Sequence, residues 1–323
     1  MKRVAILGAG PAGMSCALWL KNLGCDPLVL ESEQEAGGLL RQNVLANDWV
    51  LGQRGMSGSA MARQFAGHFA ESGVAVRYGV HPARIVRDSE GFRITLAAGD
   101  ALPPVAAVVV ATGTRIAGRD WLAALPGADS VPPECLCVGP AAFGNAERFR
   151  GKHLLVVGGG DNAHEFVRLT APLAAHQVML VRGQRKAQVV QQEAVNVLVD
   201  AGQVSLYQQT AVTALAWKDK RLCARLGGSG APATQLMADL LVLQAGYQPN
   251  SEAVLAALAD DLKPAVATDD DGYFLTDIHG RTGCAGLYAI GDITNRDTPC
   301  VVTALAAGAT AARAIERSFR EQP

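Results

Sequence analysis

One short glycine pattern, present twice, constrains this chain more than any other feature. Gly8-x-Gly10-x-x-Gly13 follows the apolar run at 4–7, and Gly158-x-Gly160-x-x-Ala163 follows the run at 153–157, 150 residues later. Both runs are apolar without alternation, as in a strand covered on both faces. Residues 11–23 carry helical spacing (Met14, Leu18 and the pair Cys16/Leu20) and are closed by Gly24, and a second helix is expected over 162–175. Further strands are expected at 28–30, closed by Glu31, and at 177–181. In such a strand–turn–helix–strand unit the first glycine makes the tight turn. The second lets the backbone approach a pyrophosphate, and the third, or an alanine there, lets helix and strand pack closely. The diphosphate rests on the positive end of the helix. A lone glycine pattern is weak evidence, but here every flanking element is in place.

The two units differ where the ribose would lie. In the first, Glu31 stands at the end of the second strand, where an acid accepts ribose hydroxyls. This unit reads as a site for FAD, with Gly8, Gly10, Pro11, Ala12 and Gly13 as the turn. In the second, Gly158, Gly160, Asp161, Asn162 and Ala163 form the turn, and the strand runs into Arg182, Arg185 and Lys186 with no acid. An acid there would repel a 2′-phosphate, whereas arginines would grip it. NADPH is therefore favoured over NADH, the alternative being a solvated basic turn. Opposite charge at the two ribose ends implies two different dinucleotides, one held permanently and one that comes and goes.

Composition narrows the rest. A chain of 323 residues, 49% of them hydrophobic, suits two domains. The 29 basic and 30 acidic residues balance, so no nucleic-acid partner is indicated. No apolar run reaches the roughly 20 residues that span a bilayer, so no membrane partner is expected. Met1-Lys2-Arg3 and the run after it imitate the start of a signal peptide until Gly8, Gly10 and Gly13 interrupt it, and the expected location is cytoplasmic. Seven scattered cysteines argue against a disulfide scaffold. The six histidines show no metal-ligand spacing, so no metal is expected. Apolar strands are also expected at 105–111, 240–243 and 287–290, a Pro- and Gly-rich loop over 116–140, and a last helix over 302–319.

With these motifs in order, the chain resembles the thioredoxin-reductase-like flavoproteins, the short two-domain branch of the pyridine nucleotide-disulfide oxidoreductases. The resemblance rests on the two glycine turns, Glu31 with Gly37-Gly38-Leu39, Ala111-Thr112-Gly113, residues 245–250, and residues 286–292. It implies an α/β fold of two Rossmann-like, three-layer dinucleotide-binding domains. The NADPH domain (118–246) would be inserted into a split FAD domain (1–117 and 247–323), in a homodimer. It further implies that Gly38, Leu39, Ala111, Thr112, Gly113 and Gly291 belong to the FAD site. Asp292 would meet the ribityl chain or a nearby phosphate, Asn47 would lie near the isoalloxazine, and Cys300, Val301 and Val302 would line the pyrimidine edge.

The departures matter equally. Thioredoxin reductases carry Cys-x-x-Cys followed by an acid, whereas this chain has Cys135-Leu136-Cys137 followed by Val138-Gly139. A Cys-x-Cys disulfide closes a small strained ring and is easily reduced. Both a redox pair and two loop thiols without that role stay open, and the missing residue and missing acid favour the second. Cys300 would stand at a helix N-terminus, which favours a thiolate, although a small packing residue there is the commoner arrangement. The related ferredoxin-reductase branch lacks the pair but carries a longer C-terminal tail, so neither branch is expected to fit fully. The expected function is an NADPH-dependent flavoprotein oxidoreductase passing electrons to a disulfide or a one-electron carrier, whether small molecule or small redox protein. The alternatives are a dithiol oxidase using oxygen and a non-catalytic flavin-binding sensor.

Overall fold

The computed structural model describes residues 1–294 and 297–321. The chain divides into two compact units, Met1–Arg115 with Gln248–Pro323, and Ile116–Tyr247. It begins with β1 (Arg3–Leu7), α1 (Pro11–Asn22) and β2 (Asp26–Leu30). α2 (Gly58–Glu71), β3 (Ala75–Arg77), the hairpin β4 (Pro82–Asp88) and β5 (Gly91–Leu96), then β6 (Ala107–Val110) and β7 (Thr114–Ile116) follow. α3 (Arg119–Ala124) and β8 (Leu136–Val138) open the second unit, before β9 (His153–Val157), α4 (Asp161–Thr170), β10 (His176–Val181), α5 (Val189–Asp200) and β11 (Val204–Gln208). β12 (Ala211–Lys218), β13 (Arg221–Gly227), β14 (Gln235–Ala238) and β15 (Leu240–Leu243) complete it. β16 (Tyr247–Pro249) leads back to α6 (Glu252–Ala257), β17 (Leu287–Ala289) and α7 (Val301–Glu321).

Both units centre on a five-stranded parallel sheet. In the first the order is β17-β6-β1-β2-β3, and in the second β11-β10-β9-β15-β8. β1 and β9 occupy matching central places, each flanked by the strand that follows its helix and by a strand from later in the chain. Val4, Ala5, Ile6, Val108, Val109 and Val110 are fully buried, which is why these strands carry no polar alternation. One face of the first sheet packs on α1 and α7 through Val4, Ile6, Leu20 and Ile315, and the other on the β4–β5 hairpin through Ile85, Phe92 and Ile94. The second sheet packs on α4 through Phe166 and Val167, and on the antiparallel sheet β12-β13-β14 through Leu222 and Ala224. Each unit is thus three layers, with a β layer as the third.

Two local readings change. The loop expected over 116–140 contains β8, paired in parallel with β15 so that Cys137 stands opposite Val242. A three-residue strand inside a Pro- and Gly-rich stretch has too little length to show periodicity. The helix expected to reach 175 ends at Thr170, because Pro172 lacks the N–H to continue it. Among the described residues no helix is long and apolar enough to cross a membrane.

Candidate functional site

The first glycine turn is built by close backbone approach. Gly8 has φ +107°, and a Cβ there would lie 2.5 Å from the Ala111 carbonyl oxygen just after β6. A Cβ on Gly13 would lie 2.0 Å from the Gly8 carbonyl oxygen. At Gly10 the reverse holds, for a Cβ would meet nothing within 4 Å, and no side chain caps the helix that begins at Pro11. The leading N–H groups of α1 therefore lack a side-chain partner and border open space, which is a cradle for a phosphate.

Glu31 is 5% exposed, and its Oε2 accepts the Ala9 N–H at 2.6 Å while Oε1 accepts the Glu33 N–H at 2.8 Å. These charge-assisted bonds fix the carboxylate against the glycine turn and leave further lone pairs for ribose hydroxyls. Gly37 N–H donates to the Ala9 carbonyl at 2.9 Å, and a Cβ on Gly38 would lie 3.1 Å from Gly10 Cα, so the strip carrying Leu39 folds over the turn. A Cβ on Gly291 would lie 2.7 Å from the Ala12 Cβ, which brings Asp292 to the first turn of α1. Asp292 Oδ1 is buried without a hydrogen-bond partner among the described residues, and burial lifts the carboxyl from 3.8 to about 6. Such an orphan acceptor fits a hydroxylated chain that brings donors. Thr112 Oγ1 donates to the Asn250 carbonyl at 3.1 Å, Asn250 Nδ2 returns to the Thr112 carbonyl at 2.9 Å, and Asn250 N–H meets the Gly113 carbonyl at 2.9 Å. This reciprocal lock holds Ala111-Thr112-Gly113 in place. These features fit FAD.

The remaining expected residues make local contacts of their own. Asn47 Oδ1 accepts the Trp49 N–H at 3.0 Å within its own loop. Cys300 is exposed, and its Sγ lies 3.5 Å from the Thr303 N–H and 3.4 Å from Thr303 Oγ1, so the sulfur caps α7 where serine or threonine usually does. Val301 is buried and Val302 is exposed. Sequence reasoning missed Gly308, where a Cβ would lie 2.5 Å from the Ala12 carbonyl oxygen. It lets α7 press against α1, and a glycine inside an alanine-rich helix was the available signal.

The second turn repeats the construction. A Cβ on Gly158 would lie 2.4 Å from the Gln244 carbonyl oxygen, while Gly160 is open and α4 begins without a side-chain cap. Ala163 is fully buried. Asp161 Oδ1 accepts the Gln188 N–H at 2.7 Å, and the Lys186 and Ala187 N–H groups donate to the Gly159 carbonyl at 2.8 and 3.2 Å. The basic segment is thus tied to the glycine turn at three points. Asn162 Nδ2 donates to Tyr247 Oη at 2.9 Å. Arg182 and Lys186 are exposed and Arg185 is half-buried. Among the described residues none of the three pairs with an acid. Beside them lies a cavity of about 470 Å³ lined by Gly183, Gln184, Arg185, Gln192, Gln208 and Gln209. No signal in the sequence marked these glutamines. These features fit a phosphorylated dinucleotide.

Cys135 and Cys137 are both free thiols. Cys137 is buried within β8, and burial pushes its thiol up despite the nearby Arg148. Burial, reinforced by Glu134, does the same to Cys135. Cys135 closes the 3-10 turn Pro133–Cys135 that precedes β8, so only Cys137 is a strand residue. Neither thiol is placed as an activated nucleophile.

Comparison with known proteins agrees with this geometry. The sequence profile of the pyridine nucleotide-disulphide oxidoreductase family matches residues 2–308. The chain is 27% identical to a thioredoxin reductase of Listeria monocytogenes, over 98% of this chain and 94% of that protein. It is 28% identical to a ferredoxin–NADP reductase of Ignicoccus hospitalis, over 91% of this chain and 90% of that one. The fold matches the crystal structure of Lactococcus lactis thioredoxin reductase with a TM-score of 0.81 at 22% identity, covering 99% of this chain and 100% of the other.

Proposed function

The chain belongs to the pyridine nucleotide-disulphide oxidoreductase family, and from that premise we propose that it passes electrons from NADPH through FAD to a one-electron carrier without a thiol relay. As a member of that family it is an NADPH-dependent flavoprotein oxidoreductase. FAD supplies a centre that takes hydride as an electron pair and can release electrons singly. The protein supplies position. The Gly8–Gly13 turn and the N-terminus of α1 hold a diphosphate, Glu31 holds the adenosine ribose, and Asp292 accepts from the hydroxylated chain. In the second unit, Gly158, Gly160 and the start of α4 hold the other diphosphate, and the basic segment receives the 2′-phosphate. The charge at the ribose end is opposite in the two turns, so each selects its own dinucleotide.

The observation that carries the acceptor reading is the placement of Cys137. A thiol buried in a parallel strand, in register with Val242 and with its pKa raised, is poorly suited to cycle between dithiol and disulfide. The relative that acts on ferredoxin supports the same direction. The test is to reduce the purified holoenzyme anaerobically with NADPH and then offer a small disulfide, ferredoxin and a ferric chelate in parallel. Reoxidation by ferredoxin or the chelate, unchanged in the Cys135→Ser/Cys137→Ser double variant, is expected. Reoxidation by the disulfide alone, lost in that variant, overturns the reading.

A further inference from the structure

The basic segment offers three cations, and the structure sets one of them apart. Arg182 and Lys186 are exposed, whereas Arg185 is half-buried, lines the 470 Å³ cavity and is, among the described residues, the one of the three held by a neighbouring side chain. Its Nη1 donates to Asn196 Oδ1 at 2.7 Å. Asn196 lies on α5 one turn beyond Gln192, which lines the same cavity, and residues four apart share a helix face. Gln192 is itself fixed, its Nε2 donating to the Ala187 carbonyl at 2.7 Å. Across the cavity Gln209 is held as well, its Oε1 accepting from Ser229 Oγ at 2.7 Å. The wall is therefore pre-shaped by side-chain bonds before any ligand arrives.

The chemistry of the anchor is informative. A guanidinium carries five N–H donors in a planar fork. Asn196 engages one with a neutral oxygen, so the positive charge stays whole and the remaining donors stay free for bidentate contact with a phosphate. A carboxylate in the same place would orient the fork equally well but would neutralise it toward an anion. An unanchored arginine would have to be ordered at the moment of binding, which weakens affinity about two- to tenfold for such a side chain.

We infer that Asn196 is a positioning residue for coenzyme choice: it holds the Arg185 guanidinium at the cavity wall as a pre-oriented, un-neutralised receptor for the 2′-phosphate of NADPH, and Arg182 contributes charge without comparable orientation. This rests on the reading of the second unit as the NADPH site. It assigns discrimination between NADPH and NADH to a contact between α5 and the segment before it, outside the glycine turn.

The test measures kcat and KM for NADPH and NADH with one fixed acceptor, in a double-mutant cycle of Arg185→Ala and Asn196→Ala, with Asn196→Asp as the third variant. Arg185→Ala is expected to raise KM for NADPH roughly tenfold to a hundredfold, as loss of a charge-assisted contact does, and to raise KM for NADH far less. Asn196→Ala is expected to raise KM for NADPH about two- to tenfold on its own, and to have no further effect once Arg185 is alanine. Asn196→Asp is expected to lower NADPH preference at least as much as Asn196→Ala, because the fork stays placed but its charge is answered. Equal effects of Asn196→Ala with and without Arg185, or an undiminished NADPH preference in Asn196→Asp, overturn the inference. If Arg185→Ala itself leaves the NADPH/NADH ratio unchanged, the NADPH reading of the turn fails first, and the two failures are thereby distinguished.

Discussion

The two glycine turns of this molecule share one backbone plan and differ in how tightly they are closed. In both, a Cβ on the first glycine would strike the carbonyl oxygen just after the neighbouring strand, at 2.5 Å from Ala111 for Gly8 and at 2.4 Å from Gln244 for Gly158. In both, the second glycine is open. At the third position they part. A Cβ on Gly13 would strike the Gly8 carbonyl at 2.0 Å, whereas Ala163 keeps its Cβ, 3.0 Å from where a Cβ on Gly158 would stand. The first turn is then sealed by Glu31, a buried carboxylate bonded to two backbone N–H groups. The second is bordered by exposed or half-buried cations and a broad cavity. The contrast matches a resident ligand on one side and an exchanging ligand on the other.

The largest effect is expected at the third position. Gly13→Ala is expected to abolish FAD retention and to destabilise the first unit by about 3 kcal/mol or more, since backbone must move to admit the methyl. Ala163→Gly is expected to cost only about 1 kcal/mol of helix propensity and to leave NADPH-driven turnover in place. Absorbance of bound flavin and thermal unfolding of the two variants check both expectations. If Gly13→Ala retains flavin as well as the parent, the close-packed account of the first turn is wrong.

Glu31→Ala comes next. It removes a buried acceptor from the Ala9 and Glu33 N–H groups and from the ribose, and FAD binding should weaken by about 1.5–3 kcal/mol. A dialysis titration reads this directly, and no change would mean that Glu31 serves only its own turn.

Asp292 gives a pH-dependent test. Its carboxyl is raised from 3.8 to about 6 by burial. The apoprotein therefore binds a proton more tightly folded than unfolded. The corresponding stability is fully present below pH 3.8 and is lost as pH rises through about 6. Relative to Asp292→Asn, the wild-type apoprotein should lose about 2 kcal/mol across that window, and added FAD should reduce the difference by giving the orphan oxygen a donor. Parallel curves for the two apoproteins would show that Asp292 is solvated.

The smallest effect belongs to the cysteines. Cys135→Ser/Cys137→Ser should leave flavin reduction and turnover with a one-electron acceptor unchanged, while a hydroxyl placed in the apolar surroundings of β8 should cost about 1–2 kcal/mol of stability. Loss of turnover with every acceptor would return the pair to the chemistry.

Much of this was legible in the sequence because glycine turns are local. Val4 to Glu31 contains strand, turn, helix, strand and acid in order, and the structure places Glu31 against Ala9 as that order requires. What was illegible came from distance along the chain. β8 is three residues long and gains its identity from pairing with β15, more than 100 residues later. Gln208 and Gln209 belong to the cavity only because β11 lies beside β10. Arg182, Arg185 and Lys186 looked equivalent as a run of charges. They were separated by the Arg185 bond to Asn196 on α5, a contact without a local signature.

If opposite charge at two otherwise similar turns gives each its own dinucleotide, the arginines of the second turn set coenzyme choice. Anaerobic titration of the yellow holoenzyme with NADPH and with NADH, in wild type and in Arg182→Ala/Arg185→Ala, measures that choice. Wild-type flavin is expected to be bleached at far lower NADPH than NADH concentration, and the two curves are expected to converge in the variant with FAD content intact. Superimposed curves in the wild type, or a variant that loses its FAD, would contradict it.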